Sequence, residues 1–176
     1  MIRLKDILNE IMEGLPPPAI VQQHTNTHQT PIVNQKDIDN AYILAATLWG
    51  EARGEGLKGM QAVLNVIINR ANGNISTASQ IVLQPKQFSF WNGKSDPRTY
   101  AHQLANSKRG TDKLFDASLV LVDKAMKGQL TDITGGSTFY FNPHIIIPKW
   151  AKSMKKTITI GNHDFYKLPD KKAKIK

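Results

Sequence analysis

Eight consecutive residues, Trp49 to Gly56 (WGEARGEG), hold the side chains best placed for acid–base chemistry. Glu51 ends a mostly apolar helical pattern and is followed by a turn that Gly54 and Gly56 break. A carboxyl group at such a point can face a cleft while apolar neighbours limit its hydration. Desolvation raises the pKa of a carboxyl group, which suits a general acid working near neutral pH. The simpler alternative, usual for an arbitrary E-x-R-x-E string, is a solvated helix end with a Glu–Arg pair.

Glu55 lies four residues after Glu51, a spacing that would place both carboxylates on one helix face if the helix continued. Gly54 and Gly56 argue against that continuation, because glycine is unfavourable inside a helix. We therefore do not pair the two glutamates as acid and nucleophile.

A second cluster, QFSFWNG at residues 87–93, alternates aromatic side chains with hydrogen-bonding ones. Aromatic faces stack on sugars as they do on bases, so this pattern can bind a carbohydrate. The alternative is a loop that its aromatic rings anchor into the core. The aromatic side chains here are Phe88, Phe90 and Trp91, and the hydrogen-bonding ones are Gln87, Ser89 and Asn92.

A third cluster lies in a β-rich segment, STFYFNP at residues 137–143. Tyr140 and Asn142 alternate with Phe139 and Phe141, so one set can face a cleft while the other packs. Taken alone, this pattern is also that of an ordinary half-buried strand.

Composition and missing motifs exclude several kinds of chemistry. The chain has no cysteine, which rules out disulfides, thiol nucleophiles, cysteine zinc sites and iron–sulfur clusters. It has no zinc-protease, phosphate-loop, dinucleotide or serine-hydrolase motif, and its five histidines are scattered. His24 and His28 lie four apart, but their segment shows no helical periodicity. We therefore predict no metal and no cofactor.

The apolar pattern predicts a mainly helical α+β fold. Helices are expected at about 37–53 and 57–72, followed by a short third helix that Ser76 or Thr77 caps and Pro85 ends. Residues 86–110 show little periodicity and predict a long loop. Thr111 is expected to cap a fourth helix that ends near Gly128. Strand 137–141 and a hairpin turning at residues 161–162 predict a small antiparallel β element near the C-terminus.

Four regions are predicted along the 176 residues. Residues 1–13 form an amphipathic helix, which either docks on a partner or another copy, or lies on its own domain. Residues 14–35 form a flexible, proline-marked polar linker. Residues 36–168 form the compact domain that carries the three clusters, and residues 169–176 form a basic tail. Asp6 and Glu10 interrupt the apolar run that a signal peptide would need.

The charge of the chain is strongly basic and unevenly distributed. The formal net charge is +9, and residues 144–176 carry nine basic and two acidic side chains. Such a surface attracts polyanions, among them nucleic acid, anionic lipid and bacterial cell wall, and charge alone does not choose among these. No apolar run has the roughly 18–20 residues that a membrane span needs.

Three blocks, taken together, resemble one known family. They read LWGEARGEGLKGMQAVLNVIINRANG, QPKQFSFWNGK and STFYFNPHIIIPKWAKSMKKTITIGNHDFY, and they extend over about residues 40–167. Their order and spacing are similar to those of the cell-wall hydrolases typified by the spore cortex-lytic enzyme SleB and its phage-borne relatives. Two departures are Phe139, where many relatives carry a polar residue, and Trp49, which replaces a smaller one.

The resemblance implies a lysozyme-like fold and cleavage of the MurNAc–GlcNAc β-1,4 bond of peptidoglycan by a lytic transglycosylase. It implies that Glu51 acts first as acid and then as base, closing a 1,6-anhydro ring without a second carboxylate. The positions that match the substrate cleft of the family are Gln87, Phe88, Ser89, Trp91, Thr138, Tyr140 and Asn142.

Two other functions stay open at this stage. A true muramidase would use water, with Glu55 or an aspartate as base, and a silent basic module would bind wall or nucleic acid without catalysis. Peptidoglycan is the expected partner, together with a phage virion or another copy through the N-terminal helix, and no specific nucleic acid. A phage endolysin would wait in the host cytoplasm before lysis, whereas a virion-associated enzyme would act on entry.

Overall fold

A computed structural model describes residues 34–169. Its first helix, α1 (Gln35–Ala52), lies at the centre of the fold and contacts every other α-helix. The Asn34 side chain caps it by accepting a hydrogen bond from the amide of Lys36. Leu44 and Leu48 have no exposed surface, and neither do the alanines between them, so the middle of α1 is buried on all sides. The last turn of α1, which carries Glu51, therefore has a rigid base.

A short 3₁₀ turn (Arg53–Glu55) reverses the chain from α1 into α2 (Gly56–Arg70). Gly56 has a φ of 66°, a conformation that glycine adopts without a steric penalty. The inward face of α2 carries Met60, Val63, Leu64 and Ile67, as its periodicity predicts. Both helices thus correspond to the two that the sequence predicts.

The third helix, α3 (Ala78–Val82), follows a 3₁₀ turn at Ile75–Thr77. Thr77, one of the two predicted capping residues, takes the N-cap position of α3, but its side chain forms no capping hydrogen bond and its hydroxyl instead donates to the Asn74 carbonyl. The Asn74 side chain caps the preceding 3₁₀ turn by accepting from the amide of Ser76.

Residues 86–110 are not the predicted loop. They contain a 3₁₀ turn (Ser89–Trp91) and a full helix, α4 (Pro97–Lys108). The helix was missed because its buried face consists of two alanines, Ala101 and Ala105, which give little hydrophobic signal. Asp96 caps α4 and Pro97 opens it, a start signal that outweighs the weak periodicity.

The helix α5 (Lys113–Met126) closes the helical part of the fold. Its cap is Asp112 and not Thr111, because the Asp112 carboxylate accepts from the amides of Leu114 and Phe115. The Thr111 hydroxyl instead donates to carbonyls in the last turn of α4.

Three antiparallel strands follow, namely β1 (Phe139–Phe141), β2 (Lys155–Ile160) and β3 (His163–Lys167). Their spatial order is β1-β3-β2, and β2 and β3 form the predicted hairpin around Gly161 and Asn162. A 3₁₀ turn at Lys149–Ser153 lies between β1 and β2. This mainly helical fold with a small C-terminal sheet confirms the predicted fold class.

The sheet packs on α2 through a small second core. Ala62 and Val66 of α2 meet Ile160 of β2 and Phe165 of β3, all of them buried. Because β3 is the central strand, this contact also fixes the position of β1 and its side chains beside the end of α2.

Several predictions concern residues outside the range 34–169. They are the helix at 1–13, almost all of the linker at 14–35, the histidines at 24 and 28, and the tail from residue 170 onwards. Within the described range, no helix is long and apolar enough to cross a bilayer. That same range contains no group of three or more histidine and acidic side chains arranged to hold a metal ion.

Candidate active site

Glu51 lies in the last turn of α1 and is half-buried. Its Oε1 atom accepts two hydrogen bonds, at 3.0 Å from the Ser89 hydroxyl and at 2.7 Å from the Phe90 amide. Within residues 34–169, no hydrogen bond reaches its Oε2 atom. The carboxyl group is thus oriented through one oxygen, while the other has no hydrogen-bond partner among the described residues.

The segment 87–91 supplies these donors and is itself anchored by aromatic rings. Phe88 is 3% exposed and Trp91 is 8% exposed, and the Trp91 indole N–H donates to the Thr47 hydroxyl at 3.0 Å. Both rings lie in the helical core, which is the arrangement expected of a loop that its aromatic rings anchor. Gln87 and Ser89, which alternate with these rings, are exposed on the outer side.

Gly50 allows the Phe90 ring to lie against the end of α1. A Cβ atom built at Gly50 would overlap that ring, so only glycine leaves the space that it occupies. The ring also makes edge contacts with Trp91 and Tyr100, at centroid distances of 4.9 and 5.8 Å. This packing directs the Phe90 amide towards the Glu51 carboxylate.

Arg70 joins the second and third sequence clusters, a role that the sequence did not reveal. Its Nε atom donates to the Thr138 carbonyl at 2.6 Å, and its Nη1 atom donates to the Gln87 side chain at 3.2 Å. Burial lowers the pKa of Arg70, and the interaction with Tyr140 opposes that shift. The available signal was its position at the end of the VIINR block, although spacing alone does not identify its partners.

Tyr140 lies close enough to Glu51 for the two groups to interact electrostatically. Burial raises the pKa of Tyr140, and the charge of Glu51 raises it further, while Arg70 acts in the opposite direction. Its ring stacks on Phe165 at 5.7 Å and meets His163 edge-on at 5.3 Å. The Tyr140 hydroxyl stays protonated near neutral pH and accordingly remains a hydrogen-bond donor.

The other two candidate residues near β1, Thr138 and Asn142, differ in whether their side chains already form hydrogen bonds. The Thr138 side chain is half-buried, and no described residue forms a hydrogen bond with its hydroxyl. Asn142 uses its side-chain oxygen to accept from the His144 amide at 2.9 Å, in the turn that follows β1. Thr138 is therefore the more available of the two for a ligand.

Glu55 is held by the β2–β3 turn. The Asn162 amide donates to its Oε2 atom at 2.9 Å, and the Asn162 side chain donates to its Oε1 atom at 3.0 Å. The Asn162 backbone and side-chain hydrogen bonds lower the pKa of Glu55, and His163 adds to that effect. Both oxygens are occupied, in line with the decision not to pair Glu55 with Glu51.

A separate cavity of about 530 Å³ lies at the other end of α1, between α3 and the start of α4. It is lined in part by Asp39, whose carboxylate pairs with Arg98 at 3.1 Å and with His102 at 2.7 Å. Asp39 precedes Glu51 by twelve residues, or about 18 Å along the helix axis. This cavity is therefore not part of the Glu51 site.

The chain is similar in sequence to known enzymes of the bacterial cell wall. A sequence model described as Cell Wall Hydrolase matches residues 54–166. The spore cortex-lytic enzyme of Oceanobacillus iheyensis is 31% identical over 150 residues, which are 81% of this chain and 48% of that protein. The corresponding enzyme of Halalkalibacterium halodurans is 31% identical over 125 residues, 70% of this chain and 33% of that protein. The chain thus spans a third to about half of the length of these curated relatives.

A solved structure is similar as well. The catalytic domain of the germination-specific lytic transglycosylase SleB from Bacillus anthracis superposes with a TM-score of 0.50 and 25% identity. The alignment covers 78% of this chain and 98% of that domain. These matches confirm the resemblance of the three sequence blocks. The matched family range begins three residues after Glu51, so the interpretation of that residue depends on its geometry.

Proposed function

The chain belongs to the cell wall hydrolase family, and on that premise we propose that it cleaves the MurNAc–GlcNAc β-1,4 bond of peptidoglycan as a lytic transglycosylase. The observation that carries the proposal is the asymmetric environment of the Glu51 carboxyl group. Two donors occupy Oε1, and no described residue occupies Oε2. The likeness to a lytic transglycosylase catalytic domain supports the same reaction.

In the first step, Glu51 acts as a general acid. An oxygen that already accepts two hydrogen bonds is a poor place for a proton, so Oε2 is the oxygen from which Glu51 would deliver one. Glu51 donates this proton to the glycosidic oxygen as the bond from MurNAc C1 to that oxygen breaks. The bonding electron pair leaves with the GlcNAc oxygen, and the remaining carboxylate stabilises the positive charge that develops at C1.

In the second step, the same carboxylate acts as a base. It removes the proton from the C6 hydroxyl of MurNAc while that oxygen bonds to C1, which forms the 1,6-anhydro ring. The proton returns to Glu51, no water is consumed, and the enzyme is ready for another cycle. Glu55 is not required, and its two occupied oxygens are consistent with a purely structural role.

Substrate contacts are proposed for the polar groups that surround Glu51. Ser89 is exposed and donates to Glu51, and Arg70 links the exposed Gln87 side chain to the Thr138 carbonyl. The protonated Tyr140 hydroxyl would donate to a sugar or acetamido oxygen. Asn142 would contact substrate only through groups that its turn leaves unused. Phe88 and Trp91 would act indirectly, by holding the 87–91 segment in place.

The test is mass spectrometry of the muropeptides that the full chain releases from purified sacculi. We expect products that end in 1,6-anhydro-MurNAc, which are one water lighter than reducing ends. Reducing ends would instead show a hydrolytic muramidase. If the parent chain releases nothing under conditions where a control muramidase is active, the reaction is excluded and a wall-binding module is favoured. The Glu51→Gln variant, assayed in parallel, gives the background release that does not depend on the Glu51 carboxyl group.

The biological setting stays a prediction from the resemblance to phage-borne relatives. We propose that the enzyme acts in phage lysis or in penetration of the wall by a virion. Quantitative mass spectrometry of purified virions separates the two settings. A stoichiometric amount in the particle indicates penetration, and its absence from the particle with accumulation in infected cells indicates lysis.

A further inference from the structure

The turn after β1 exposes three consecutive isoleucines. Ile145, Ile146 and Ile147 are 80%, 60% and 70% exposed, whereas most large apolar side chains of the fold are buried. A contiguous exposed apolar cluster on a folded domain usually marks an interaction surface. We call these three residues the isoleucine tip.

The backbone of the turn holds the isoleucine tip outward. The amides of Ile145 and Ile146 both donate to the Asn142 carbonyl at 3.1 Å, and the Asn142 side chain closes the turn through His144. On the far side of the tip, Trp150 packs on aromatic rings of the sheet. Its ring centroid lies 5.3 Å from Phe139, 5.5 Å from Phe141 and 5.8 Å from Tyr166. The segment that carries the isoleucine tip is therefore anchored to the sheet on both sides.

The sequence around the isoleucine tip is basic, with Asp132 and Asp164 just outside it. Residues 133–163 contain four lysines and no acidic residue. Lys149 and Lys152 lie three apart in the 3₁₀ turn, a spacing that places them on one face of such a turn. Both are exposed, and neither forms an ion pair within residues 34–169. Lys156, by contrast, pairs with Asp164 at 2.6 Å.

We propose that the isoleucine tip and its lysines form a docking surface for a bilayer that carries anionic phospholipid headgroups. Aliphatic side chains enter the boundary between headgroups and acyl chains, and lysines at the same level attract the anionic headgroups. This occupant uses both features of the surface, and the proposal does not depend on the reaction at Glu51.

Other occupants use only part of the surface. A nucleic acid or an anionic wall polymer would match the lysines but would leave the isoleucines in water. A second copy of the chain would cover the isoleucines but would bring two lysine clusters together, and like charges across an interface are unfavourable. Charge complementarity together with apolarity thus favours the lipid surface.

The experiment is cosedimentation of the full chain with vesicles. One set contains phosphatidylcholine with about one third phosphatidylglycerol, and the other contains phosphatidylcholine alone. We expect binding to the anionic vesicles that weakens with added salt. Replacing all three isoleucines by serine should weaken that binding by about tenfold or more. Unchanged binding of this variant would overturn the proposal.

Matched variants separate the tip from general surface properties. Leu57→Ser removes an apolar side chain that is 59% exposed on α2, and it should leave binding unchanged, whereas Ile145→Ser should weaken it. Equal losses from both substitutions would contradict a defined docking surface. The double variant Lys149→Glu with Lys152→Glu should bind anionic vesicles about tenfold more weakly. Its binding to vesicles of phosphatidylcholine alone should be the same as that of the parent.

Two controls complete the design. Circular dichroism and thermal unfolding should be the same for the parent and for the variants of the tip, showing that they fold. Sedimentation velocity should show the parent and the triple serine variant in the same association state. A parent dimer that the serine substitutions dissociate would assign the tip to contact between copies and overturn the lipid proposal.

Discussion

Glu51 and Glu55 lie four residues apart around the turn from α1 to α2, and their carboxyl groups have different surroundings. Glu51 receives both of its hydrogen bonds on one oxygen, from the 87–91 segment. Glu55 receives hydrogen bonds on both oxygens, from the β2–β3 turn. An oriented carboxyl with one open oxygen can exchange a proton with a ligand, whereas a saturated one stabilises the fold. Residue type and spacing therefore matter less here than the distant segment that reaches each side chain.

The largest effect should come from Glu51→Gln. This substitution keeps the size of the side chain and removes the exchangeable carboxyl proton, so the rate of sacculus clearing should fall by about 10²–10⁴-fold. Thermal unfolding should be nearly unchanged, because the side chain is only half-buried. Clearing by Glu51→Gln at the parental rate would remove Glu51 from the mechanism.

Gly50→Ala should have the next largest effect, because it disturbs the donor side of Glu51. The new Cβ atom would overlap the Phe90 ring and displace the Phe90 amide from the carboxylate. We expect about 1–3 kcal/mol of lost stability from overpacking and a fall in clearing rate of about 10- to 100-fold. Both follow from the same displacement and are measured by urea unfolding and sacculus turbidity.

Gly54→Ala is the matched control for this prediction. A Cβ atom at Gly54 meets no atom within 4 Å, and this glycine does not have a positive φ. Its stability should change by less than about 0.5 kcal/mol, and its activity should be parental. Equal behaviour of the two alanine variants would contradict the assigned role of the Gly50–Phe90 contact.

Glu55→Gln should affect stability and leave the reaction almost intact. The amide replaces one acceptor oxygen by a donor, which disrupts the hydrogen bonds to Asn162. We expect a loss of about 1 kcal/mol in the free energy of unfolding, with a clearing rate per folded molecule within a few-fold of the parent. A loss of activity comparable with that of Glu51→Gln would instead identify Glu55 as the base of a hydrolytic mechanism.

The smallest expected effect is a pH dependence of the difference in unfolding free energy between the parent and Glu55→Gln. The pKa of Glu55 is lowered from its ordinary value of 4.5 by the hydrogen bonds from Asn162, so folding favours the ionised form. Its contribution is complete above the unfolded pKa and is lost as the pH falls through the lower folded pKa. Urea unfolding should therefore show a gap between parent and Glu55→Gln that narrows as the pH falls below about 4.5. A gap that widens with acidification would have the wrong sign.

The sequence by itself determined the elements whose signal is local. The apolar periodicities of α1, α2 and α5 and the Gly-Asn turn of the hairpin predict structure from neighbouring residues alone. The same patterns placed Glu51 at a helix end before a glycine-broken turn. Helix α4 was not predicted, because its buried face consists of two alanines, which are too small to produce a clear periodic signal.

Only the tertiary structure decided which side chains meet. Arg70 reaches the Thr138 carbonyl across 68 positions of the chain, and Asn162 reaches Glu55 across 107. Likewise, the burial of Phe88 and Trp91 depends on a core built mostly from other segments. A local pattern reports which face of an element is apolar, but it does not report which distant segment covers that face. The orientation of Glu51, and therefore its chemistry, is set by such contacts.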